Sequence, residues 1–131
     1  MAHPLMVDED DPLLGRVREI ALALPGADEK ISHGHPAFFT RKVFAYFGGS
    51  LKVDGEWEQR ARSVVVKPDE DEARALLEDP RCYRPAYLGP SGWVGLDLDA
   101  CTHWDEVAEL VEASFRETAG VRLVAELDAR G

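Results

Sequence analysis

Apolar residues recur at helical spacing from Leu13 through Leu14, Val17, Ile20, Ala21 and Leu24, and the run stops at Pro25-Gly26. Asp11 followed by Pro12 reads as a cap and a first helical position, so the pattern predicts a first helix over 12–24. A polar loop follows. Ala37 to Thr40 and Val43 to Gly48 are rich in Phe, Tyr and Val, and the short Arg41-Lys42 connection between them predicts a hairpin. Ser63 to Lys67 reads as a third strand. Between these strands, Gly48 to Arg62 is long and polar and is punctuated by Gly48-Gly49 and Asp54-Gly55, which reads either as a mobile loop or as an extended hairpin tip, a wing.

Pro68 opens an acidic first turn, Asp69 to Glu72, which complements a helix dipole; Ala73, Leu76 and Leu77 supply a buried stripe before Asp79-Pro80 ends a second helix. Tyr83 to Leu88 and Trp93 to Leu98 flank the turn Gly89-Pro90-Ser91-Gly92, the pattern of a second hairpin. Thr102 with Asp105 resembles a capping box ahead of Val107, Leu110, Val111, Ser114 and Phe115, and a short last helix is expected over 121–129. The predicted architecture is a single α+β domain over 12–131 after a flexible N-terminus over 1–11. Its order is α-β-β-β-α-β-β-α-α, with an antiparallel five-stranded sheet and helices mainly on one face.

Composition narrows the class. At 131 residues and 45% hydrophobic, the chain can build one core without metals or disulfides. No run approaches a membrane span, and the first residues lack the basic and apolar regions of an export signal, so a cytoplasmic location is expected, with Cys82 and Cys101 as reduced thiols. The net charge is −10, yet Lys30 to Lys67 carries seven Lys and Arg against three acids, a local surplus of four that leaves −14 for the rest. A basic stretch inside an acidic chain suggests an anion-facing surface. Asn is absent and Gln occurs once, as Gln59, so the usual readers of adenine are missing and any DNA binding is expected to be weakly sequence-specific.

The string Gly34-His35-Pro36-Ala37-Phe38-Phe39, followed by Lys42-Val43-Phe44-Ala45, resembles the motif region of the MmcQ/YjbR family of small bacterial proteins. Leu24-Pro25-Gly26, Ser63 to Lys67, Tyr87-Leu88 to Trp93-Val94, and Trp104 to Thr118 with Ser114 fit the same pattern in order, over about Leu13 to Ala119. Where the family often has Trp before its Gly-His, this chain has His33. The resemblance implies a fold similar to secretion-chaperone-like domains and a double-wing DNA-binding module. It implies no reaction and no cofactor.

Candidate sites follow from both readings. Arg41, Lys42, Lys52, Arg60 and Arg62, with Phe44, Tyr46 and Trp57 nearby, have the composition of a phosphate-contacting surface; solvated strand edges have it too. A pI near 4.8 opposes long-range attraction to DNA. His35 is either an anion-binding group, pointing with His33 the same way from extended chain, or part of a structural corner made with Gly34 and Pro36. One His pair is too few ligands for zinc, and no metal is expected. Strict alternation places Val43, Ala45 and Phe47 on one strand face and Phe44 and Tyr46 on the other, where Phe44, Tyr46 and Tyr87 would line a shallow groove for a ligand or peptide. Nucleophile elbows, phosphate loops and His-x-Glu motifs are absent from the sequence, so no enzyme is expected. The leading expectation is a DNA-binding module using the five cations. The alternatives are an adaptor that docks a protein partner on an open sheet face and a small-anion binder centred on His35.

Overall fold

The structure is a computed structural model, and it describes residue 5 and residues 7–130. Much of the expected flexible N-terminus, residues 1–4 and 6, lies outside the described residues. Helix α1 (Pro12–Leu22) begins where the sequence predicts, because Asp11 Oδ1 accepts from the Leu13 amide at 2.9 Å and Pro12 occupies the first turn. The same carboxylate pairs with Arg62 at 2.9 Å, which ties the start of the helix to the sheet. Leu13, Leu14, Val17 and Ala21 are its buried face.

Among the described residues the sheet has six antiparallel strands rather than five, in the order β1 (Asp28–Ser32), β2 (His35–Phe39), β3 (Val43–Val53), β4 (Glu56–Val66), β6 (Val94–Asp97) and β5 (Cys82–Tyr83). The additional strand, β1 (Asp28–Ser32), occupies the segment expected as a polar loop; it is an edge strand, half-exposed and charged, without an apolar run to betray it. It turns into β2 (His35–Phe39) through His33 and Gly34 at φ of 52° and 84°. β3 (Val43–Val53) and β4 (Glu56–Val66) turn the same way through Asp54 and Gly55 at 52° and 81°. Paired positive φ values give a hairpin turn whose twist matches its strands. The predicted wing is therefore the paired distal half of the β3–β4 hairpin.

Helix α2 (Glu70–Leu76) is capped by Asp69, whose side chain accepts from the Glu72 amide. After it, the expected second hairpin shrinks to β5 (Cys82–Tyr83) against β6 (Val94–Asp97). Pro85 has no amide to offer a ladder, and residues 84–93 leave the sheet through a 3₁₀ turn at Gly89–Ser91. Helix α3 (Trp104–Thr118) starts at His103 with no side-chain cap; Thr102 Oγ1 accepts instead from the Asp99 amide, so the expected capping box does not form. Helix α4 (Val121–Ala129) matches the predicted range.

The main core lies between the sheet and helices α1 and α3, with Leu76 of α2 and Leu123 and Leu127 of α4 packed against it. Alternation fails in β3. The register shifts so that Phe39 faces Val43 while Phe38 faces Ala45, which leaves Phe44 as a bulged residue. Phe44 consequently joins Ala45 and Phe47 on the helix side, fully buried and edge-on to Phe115 at 5.5 Å, and is not a groove residue. Val43 moves the other way and packs with Tyr46. Ser114 secures the bulge: its hydroxyl donates to the Phe44 carbonyl at 2.5 Å and accepts from the Lys67 amide at 2.8 Å. Among the described residues, no helix is long and apolar enough to cross a membrane.

Candidate functional site

The sheet face away from α1 and α3 carries a second, smaller apolar cluster of Val65, Tyr83 and Trp93, with Val43, Tyr46, Leu51 and Leu88 against it. Residues 84–88 cross this face and are hung from β3 by the Ala86 amide, which donates to the Ser50 carbonyl at 2.8 Å. Beneath and beside that crossing lies a groove of about 630 Å³. β3 supplies Tyr46, Gly48, Gly49 and Ser50; the β1–β2 turn supplies Ser32, His33 and His35; β4 supplies Trp57, Gln59 and Val65; the crossing segment supplies Pro85 to Leu88.

Two bulges shape it. The first, at Phe44, leaves Tyr46 on the groove side. The second lies between Phe47 and Gly49, where Gly48 adopts φ of 83°. A Cβ at Gly48 would stand 2.9 Å from His35 Nδ1 and 2.7 Å from Val7 Cγ1, so glycine is what lets the imidazole seat against the strand. This bulge re-aims the distal hairpin, so that Ser50, Trp57 and Gln59 line the same groove as Tyr46 and Val65. At Gly49 a Cβ would meet the Tyr83 hydroxyl at 2.5 Å. That hydroxyl lies 2.7 Å from Ser63 Oγ, and because Ser63 donates to the Arg60 carbonyl, Tyr83 is the donor between them. Burial pushes the Tyr83 phenol up to about 12, so it stays protonated under the groove.

The mouth is aromatic. Trp57 and Tyr87 lie with ring centroids 5.8 Å apart and planes tilted by 34°. Both are open to solvent, at 49% and 81% exposure. Tyr87 is held at φ of 65°, a left-handed conformation that a bulky residue rarely adopts and that costs on the order of 1–3 kcal/mol. Deeper in, Tyr46 packs on Trp93 at 5.4 Å and hydrogen-bonds Ser32; burial raises the Tyr46 phenol, partly offset by that bond. Desolvation holds the His35 imidazole below its usual range, against a hydrogen bond with the Phe47 backbone, and its buried Nδ1 has no hydrogen-bond partner among the described residues. His33 sits in the turn at positive φ, so the two imidazoles do not alternate along extended chain as expected, yet both line the groove.

The five expected phosphate contacts do not form one surface. Arg41 and Lys42 lie at the β2–β3 turn, while Lys52 is ten residues further along β3, roughly 30 Å at strand rise. Lys52 Nζ stands 5.1 Å over the Trp57 ring. Arg60 is held by Glu58 at 2.8 Å and Asp97 at 2.5 Å and lies over the Tyr83 ring, and Arg62 is held by Asp11. None of the five is among the residues lining the groove; Lys52 reaches its edge over the Trp57 ring. Cys82 and Cys101 are free thiols, the first half-buried and pushed by burial up to about 11. Among the described residues, no three His, Cys, Asp or Glu side chains gather as metal ligands.

The sequence singled out Tyr46, Trp57, Tyr87 and His35 but missed Ser32, Gly48, Ser50 and Gln59. The signal for the missed floor was Gly48-Gly49 inside an otherwise strand-like run, which marks a bulge or close approach.

Comparison with known proteins places this geometry. The YjbR family model matches residues 22–117, well over half of the chain. A crystal structure of a Deinococcus radiodurans protein with a DUF419 domain is similar at 16% identity and a TM-score of 0.61, covering 88% of this chain and 87% of that one. A Pseudomonas syringae protein, also solved by crystallography, is similar at 14% identity and a TM-score of 0.53, covering 70% and 86%. At such identities the likeness is one of fold. No curated protein matches the chain significantly.

Proposed function

This chain belongs to the YjbR family, and we propose that it is a binding module whose working surface is the aromatic groove, which holds a small planar ligand rather than transforming it. The exposed Trp57–Tyr87 pair at the mouth carries this reading. Two large rings left in solvent, one of them on strained backbone, gain little for the fold and offer a stacking platform. Behind them the groove has the volume of a small-molecule site and a few polar groups, Ser32, His35, Ser50 and Gln59, to orient an occupant. The test is a screen of one- and two-ring heterocycles against ¹⁵N-labelled protein by chemical-shift perturbation. Shifts concentrated at Gly48 to Ser50, Tyr87, Leu88 and the Trp57 indole are expected. Shifts elsewhere, or none at millimolar ligand, overturn the reading.

A single nucleic-acid strand is the second reading, favoured by Lys52 standing over Trp57 beside Tyr87, a cation next to a stacking surface. Duplex binding through Arg41, Lys42, Lys52, Arg60 and Arg62 has less support, because Arg60 and Arg62 are already ion-paired and the other three are split between two ends of β3. Anisotropy titration with a labelled oligothymidine and with a duplex in low salt separates the two. Strand-selective binding that is lost in Trp57→Ala supports the second reading, and equal or absent binding rejects it.

A further inference from the structure

The groove differs from the rest of the molecule in its charge. The chain carries 25 acidic residues, yet no Asp or Glu is among the side chains lining the groove. The concavity beside α2 is lined by Asp69, Glu70, Glu78 and Glu117 together with Lys67, Arg74 and Arg84, and the one between α3 and α4 by Glu117 and Asp128 with Arg116. The nearest acids of β4 are also accounted for. Glu56 and Glu58 alternate with Trp57 and Gln59, so they point to the other strand face, and Glu58 is paired with Arg60. What the groove does present is polar side chains and a cation: the Ser50 hydroxyl and the Gln59 amide as donors, the Ser32, His33 and His35 side chains beside them, and Lys52 above the Trp57 ring.

On a protein of net charge −10, a negatively charged molecule is repelled from most of the surface. At the groove it meets no lining carboxylate but donors and one ammonium, while the ring that carries its charge finds Trp57, Tyr87 and Tyr46. We propose that the groove selects a planar aromatic anion, a ring bearing a carboxylate, sulfonate or phosphate, over a neutral or cationic ring of the same size. This rests on the groove being the binding site, and it adds the chemical class of the occupant.

Three naphthalenes of matched shape test it: 2-naphthoate, 2-naphthalenemethanol and 2-naphthylmethylammonium, titrated by calorimetry at neutral pH and low salt, with chemical shifts locating each. The carboxylate is expected to bind at least about tenfold more tightly than the alcohol, and the ammonium more weakly than either. Lys52→Glu, at an exposed position, is expected to weaken 2-naphthoate several-fold more than it weakens the alcohol. Equal affinity for carboxylate and alcohol, both at the groove, overturns the anion selection and leaves the groove standing. Tightest binding of the ammonium also overturns it. If no naphthalene shifts the groove resonances, the binding-module reading falls and this inference with it.

Discussion

Replacing Ser114 by Ala tests how the fold holds its first bulge. The hydroxyl is fully buried and serves two backbone groups, donating to the Phe44 carbonyl and accepting from the Lys67 amide just beyond the end of β4. Alanine keeps the helix and most of the volume but leaves the buried Phe44 carbonyl and the part-buried Lys67 amide without this partner. A buried group so deprived costs about 1–3 kcal/mol; two sum to about 2–6 kcal/mol, and the part-buried amide places the expected loss toward the lower end. Against the roughly 5–15 kcal/mol that stabilises a typical domain, that is a large fraction. Urea unfolding followed by tryptophan fluorescence reads it as a lower midpoint with an unchanged slope. A loss below about 0.5 kcal/mol, the range of ordinary surface substitutions, would refute the claim that this hydroxyl pins the bulge.

Phe44→Ala is expected to cost about 3–5 kcal/mol as a core truncation, whereas Tyr87→Ala should stay within about 0.5 kcal/mol; the same urea titrations distinguish a core ring from a surface ring. Gly48→Ala places a methyl group at positive φ against Val7, His35 and the Ala61 carbonyl, and should destabilise by at least about 1–3 kcal/mol while shifting the His35 ring resonances. The folded-state pKa of His35 is depressed below the usual 6.5, so the unfolded chain takes up this proton first. Its contribution is therefore whole above the unfolded value and is lost as pH falls through 6.5 toward the depressed one. His35→Gln should flatten the stability slope between pH 7.5 and 5.5, and an unchanged slope would show that His35 is not responsible.

The sequence is most legible where a side chain acts on its own backbone. Asp11-Pro12 marks a helix start because capping is local, and Asp54-Gly55 marks a turn because few residues accept positive φ; Pro68 and Asp69, read as the opening of α2, stand just ahead of it with Asp69 as its cap. It is least legible where tertiary pairing decides. β1 is written in charged residues, since an edge strand half in solvent needs no apolar run, and Thr102 spends its hydroxyl on Asp99 rather than on the helix. The groove was half readable. Tyr46, Trp57 and Tyr87 stood out by type, but which of them share a surface depends on a bulge at Phe44 that shifts the register by one residue and an irregularity at Gly48 that shifts it by two. Order along the chain did not say whether the cations converge: Arg41 and Lys42 stand before β3 and Lys52 near its far end, while Arg60 and Arg62 of β4 are paired with Glu58, Asp97 and Asp11.

The two rims of the sheet are unlike and both are poor hosts. β5 is two residues long, and β1 is five residues bearing Asp28, Glu29 and Lys30. Neither gives a visiting polypeptide a useful length of free main chain to lie against, so growth of the sheet by a guest strand is closed off at both margins.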